Sequence, residues 1–121
     1  MAIDWRRLRA EVLEPLLAGR PASWRAFDWG RGQGLSERVL TCDPVPVIVL
    51  DGAYAARPEL ADLVDVAVLV TLCDAVRRAR LAVREGKASM RAWHALWDAA
   101  EDFYFGEVCP PEVFDFVVTA S

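Results

Sequence analysis

The sequence lacks most of what would place it in a specialised class. Its three cysteines, Cys42, Cys73 and Cys109, are odd in number and form no Cys-x-x-Cys pair, which argues against both a disulfide framework and a structural zinc site. Histidine and lysine occur once each, as His94 and Lys87. The longest apolar runs, Val45 to Leu50 and Val66 to Cys73, fall far short of the roughly 18 residues a membrane span needs. The opening Met-Ala-Ile-Asp-Trp-Arg-Arg holds no signal-peptide-like stretch, so a cytoplasmic protein with free thiols is expected, with no membrane partner. There is no internal repeat or low-complexity tract. The net charge of −4 argues against nucleic acid as a general partner.

What is present fits one soluble domain: 121 residues, 55% hydrophobic and 26% charged, too apolar for a disordered chain. Asp4 followed by Trp5, Leu8, Val12 and Leu16 predicts an N-capped amphipathic helix, with Ile3 as a hydrophobic staple, Gly19 as the stop, and Pro15 bending or ending it early. Residues 23 to 29 have strand-like aromatic content, and Gly30-Arg-Gly-Gln-Gly34 reads as a flexible loop. Val45 to Leu50 and Val66 to Thr71 are β-branched runs without polar alternation, which predicts strands buried on both faces. A short helical stretch over 58–63, long helical patterns over about 74–85 and 89–105, and a closing Val113-Phe-Asp-Phe-Val-Val118 complete the pattern. Strands alternating with helices predict an α/β fold with parallel pairing.

Charge is blocked along the chain. Residues 77–91 hold six bases against Glu85, whereas residues 92–121 hold six acids and no base. Arg77, Arg80, Arg84, Lys87 and Arg91 recur every three or four residues, one stripe if the helix is unbroken. Two readings stand: an anion site, since guanidinium forks match phosphate geometry, or a solvated face whose late bases complement the helix dipole. Asp51 directly follows a predicted strand, where an acid can reach Mg²⁺ or a substrate hydroxyl; the alternative is an Asp-Gly turn. Met90, Trp93, Trp97, Ala100 and Tyr104 read as a core-facing seam, and His94 beside it has no nucleophile to serve. The phosphate-cradle pattern Gly-x4-Gly-Lys-Ser/Thr is not met, since Gly86-Lys87 has Leu81 in place of the first glycine and Ala88 in place of the hydroxyl. Gly30-x-Gly32-x-Gly34 does not match the dinucleotide fingerprint either.

Six stretches in register resemble the uridine kinase and phosphoribulokinase branch of the P-loop kinases. They are Asp4-Trp-Arg-Arg-Leu8; Arg25-Ala-Phe-Asp-Trp29; Val47-Ile-Val-Leu-Asp-Gly-Ala-Tyr54 with Arg57-Pro-Glu-Leu60; Arg80-Leu-Ala-Val-Arg-Glu-Gly86; Trp93-His-Ala-Leu-Trp-Asp-Ala-Ala-Glu101 with Tyr104-Phe105; and Pro110-Pro-Glu112 with Phe114-Asp-Phe-Val-Val118. The resemblance implies that Asp51 is the catalytic, Mg²⁺-holding acid at a Walker B-like strand end. It also implies that Arg80 and Arg84 are lid arginines closing over the phosphates of ATP, beside which Lys87 of the cationic block is a further phosphate-binding candidate, and that Phe27 and Asp28 lie near the acceptor. Gly32 stands where some members place a histidine, so the acceptor is left as a nucleoside or similar small hydroxyl compound. Members carry a strand, the phosphate-cradling loop, its helix and a second strand ending in a catalytic Asp ahead of a segment like Ala2-Ile-Asp-Trp5. The match therefore covers the C-terminal two-thirds of such a kinase, without its Walker A region.

The implied architecture is a single truncated domain, a partial P-loop kinase-like parallel sheet flanked by helices. Its central first strand, due between Val45 to Leu50 and Val66 to Thr71, is missing. The expected function is ATP-dependent phosphorylation of such an acceptor, inactive in this chain alone. The alternatives are a non-catalytic phosphate- or nucleotide-binding module and a complete phosphotransferase of another type with Asp51 as base. Self-association through exposed strand edges is expected as well.

Overall fold

The computed structural model describes residues 4–28, 30–85 and 91–120. It is a mixed helix and strand chain with two small sheets, and its backbone contacts form two units, Met1–Ala55 with Glu59–Leu63, and Ala56–Pro58 with Val64–Ser121.

The first unit opens on the predicted helix. The Asp4 carboxylate accepts from the Arg7 amide at 3.2 Å and caps α1 (Trp5–Arg7); a π-helical stretch (Leu8–Leu13) and α2 (Glu14–Leu17) continue it. Ile3 lies outside the described residues. Pro15 does not end the helix. It has no N–H to donate, and the π stretch just before it widens the turn, with the Glu14 amide bonding back to the Arg9 carbonyl. Gly19 does end it: at φ 74° its amide bonds to Leu16 O at 3.1 Å while the Arg20 amide reaches Pro15 O at 2.9 Å, a Schellman closure. Leu13, Leu16, Ala22 and Leu60 are buried. Arg9 holds Asp62 through both guanidinium nitrogens at 2.6 Å, Glu14 at 2.8 Å and the Glu59 carbonyl at 3.0 Å, tying the helix to the 3-10 turn Pro58–Leu63.

After the helix, β1 (Ala22–Phe27) pairs antiparallel with β2 (Leu35–Cys42), in register Ala22 to Cys42 and Arg25 to Val39 before an irregularity that brings Phe27 opposite Leu35. The Arg25 guanidinium fills this bulge, donating to the carbonyls of Leu35 and Ser36. The glycine-rich segment is therefore a hairpin turn rather than a flexible loop, and Gly32 and Gly34 supply its positive φ values of 70° and 72°.

The strand predicted at Val45 to Leu50 is absent. The segment carries no ladder among the described residues, and Val45, Val47 and Val49 are 53, 76 and 84% exposed. Pro46 removes a ladder donor inside the run, Pro44 stands just before it, and the chain bends at Pro46, so the β-branched content is not matched by strand bonding.

In the second unit, β3 (Val68–Thr71) pairs parallel with β4 (Phe116–Thr119) across a connection containing α3 (Asp74–Glu85) and α4 (Arg91–Phe103). Both ends of the ladder are clamped. The Asp115 carboxylate accepts from the Ala67 amide at 2.7 Å, the Asp115 amide donates to Ala67 O at 2.9 Å, and the Ala120 amide donates to Thr71 O at 2.8 Å. Burial on both faces does not hold: Val68, Val70, Phe116 and Val118, which share one face, are 48 to 65% exposed. Tyr104 and Cys109 are buried, and the Cys109 thiol donates to Ala56 O at 3.2 Å. No helix among the described residues is long and apolar enough to cross a membrane.

A Cβ at position 19 meets no neighbour, so its cost is conformational. Gly19→Ala is expected to lower unfolding free energy by about 1–2 kcal/mol, with Gly19→Asn losing less, in urea titrations.

Candidate functional site

Asp51 is exposed, and the turn from Gly52 to Ala55 follows it, closed by the Ala55 amide on Gly52 O at 3.2 Å. Tyr54 sits within this turn at φ 65°, an uncommon conformation for an aromatic residue. No group of three or more His, Cys, Asp or Glu able to hold a metal occurs among the described residues. Asp51 thus offers a single carboxylate, which suits a cation whose other ligands come from substrate and water and does not suit a cage built by protein alone.

Phe27 and Asp28 end β1. Phe27 is 41% exposed, whereas the Asp28 carboxylate is committed to the hairpin. It accepts from the Gly30 amide at 3.0 Å, the Arg31 amide at 3.1 Å and Arg31 Nε at 2.8 Å, while Arg31 Nη2 reaches Leu35 O at 3.0 Å. A side chain at position 30 would sit 3.3 Å from Asp28 Oδ1. The Arg31 amide, the Arg31 guanidinium and the Gly30 amide hold the Asp28 carboxyl below its usual range. Asp28 therefore organises the rim on which Phe27 stands.

The cationic stripe divides. Arg77 is half-buried and donates Nη1 to Glu101 at 2.7 Å and Nη2 to Asp74 at 3.3 Å and Asp98 at 3.5 Å; Arg78 adds a 3.4 Å contact to Asp98. Burial opposes the Arg77 charge, but Glu101, Asp74 and Asp98 outweigh it and hold the guanidinium above its usual pKa. Arg77 is a structural cation binding α3 to α4 and is not part of an anion site. Arg80 and Arg84, one helical turn apart, are exposed beside Ala75, Val76, Ala79 and Val83, which form a shallow open hollow of about 540 Å³. Lys87 lies outside the described residues, as do Met90, Trp29 and the side chains of Arg91, Trp93 and His94.

Spacing alone missed the acids that receive Arg77. Trp97, Asp98 and Glu101 are half-buried and Tyr104 is buried, while Ala100 of the predicted seam is exposed. The signal was the block of six bases followed by six acids, which suits pairing between consecutive helices. No family model, curated protein or solved structure matches this chain.

Two outcomes follow. Arg77→Ala is expected to destabilise the second unit by about 1–2 kcal/mol, seen as faster amide exchange in α3 and α4. Since its contacts favour the ionised form, Asp28 contributes stability that is full above the ordinary carboxylate range and lost as pH falls through its depressed folded pKa. Asp28→Asn should flatten that acid-side loss in a pH series of hairpin amide exchange.

Proposed function

We propose that this chain carries the lid and metal side of a uridine kinase-like phosphotransferase, of the class that moves phosphate from ATP to a nucleoside or similar hydroxyl compound. With no phosphate cradle among its 121 residues, it does not transfer phosphate by itself. The observation that carries the reading is the parallel pairing of β3 with β4 through a helical connection whose helix α3 leaves Arg80 and Arg84 exposed at one-turn spacing. The ladder-free run at 45–50, followed by Asp51, supports it as well. A parallel sheet without its middle strand would leave such a segment unpaired.

In this reading Arg80 and Arg84 bind phosphate oxygens through guanidinium forks, and Phe27 offers an apolar surface to the acceptor. Asp51 would hold Mg²⁺ together with nucleotide oxygens and water. When bound, Mg²⁺ would neutralise phosphate charge. The second reading, a non-catalytic phosphate or nucleotide binder, draws on the lack of a carboxylate cluster among the described residues.

Titration of the purified chain with a fluorescent ATP analogue separates the two. Saturable, Mg²⁺-assisted and salt-sensitive binding is expected, with no transfer to uridine or other nucleosides. Arg80→Ala and Arg84→Ala should each weaken binding about tenfold at low ionic strength. Asp51→Asn should remove the Mg²⁺ assistance. Binding indifferent to Mg²⁺ from the start assigns the chain to the non-catalytic class. Binding indifferent to both arginines rules out both readings.

A further inference from the structure

We draw no further inference here: the strongest candidate, the exposed apolar surface patch of Val76, Ala79 and Val83 on α3 bordered by Arg80 and Arg84, carries none because nothing in the structure shows what covers it.

Discussion

The second unit depends on the pairing of one guanidinium. Arg77 brings a charge into a half-buried position at the start of α3, where burial and the positive end of the helix both oppose it. Asp74 on its own helix, with Asp98 and Glu101 on the next, offset that cost, and the geometry they need sets which faces of α3 and α4 meet. Arg80, Arg84 and the valine stripe are left outward as a consequence.

Local bonding carries much of the rest. The described fully buried apolar residues are few, Leu13, Leu16, Ala22 and Leu60 in one unit and Tyr104 and Cys109 in the other. Where a parallel sheet is ordinarily covered on both faces, Val68, Val70, Phe116 and Val118 are exposed on one and Val117 on the other. Order is kept by devices at element ends: the Asp4 cap, the Gly19 closure, the Asp28 turn, Arg25 in the bulge, and Asp115 against Ala67. Each is a single local contact, so none alone decides the fold, and their agreement with one another does.

The parts of this arrangement legible from sequence were those written in local chemistry. Asp4 and Gly19 announce the limits of the first helix, the 74–85 pattern emerges as a helix, and the Val66 to Thr71 run emerges as a strand from Val68 onward. Pro15 misled because a π turn can absorb a missing donor, an adjustment that depends on backbone geometry several residues earlier. Val45 to Leu50 misled because its β-branched content indicates extension, whereas a ladder also needs donors and a neighbour; Pro46 removes one donor and no strand among the described residues lies beside the run. Strand β2 had a usable signal in the β-branched Val39 and Thr41 set among Leu40 and Cys42, obscured by the charged Glu37 and Arg38 and by the bulge. For the candidate site, the type and spacing of Arg80 and Arg84 were readable, but the withdrawal of Arg77 from the stripe was not. That depends on which acids on a later helix come within reach, a long-range fact that helical periodicity does not contain.

The division of the arginines sets how α3 can meet an anion. Arg77 is held by Asp74, Asp98 and Glu101, so a phosphate approaching the outer side of the helix meets the exposed Arg80 and Arg84, one turn apart. Exposed guanidinium groups gain little in water and are screened by salt, so anion binding that saturates at moderate ionic strength requires further contacts from the ligand's own apolar or metal-bound parts.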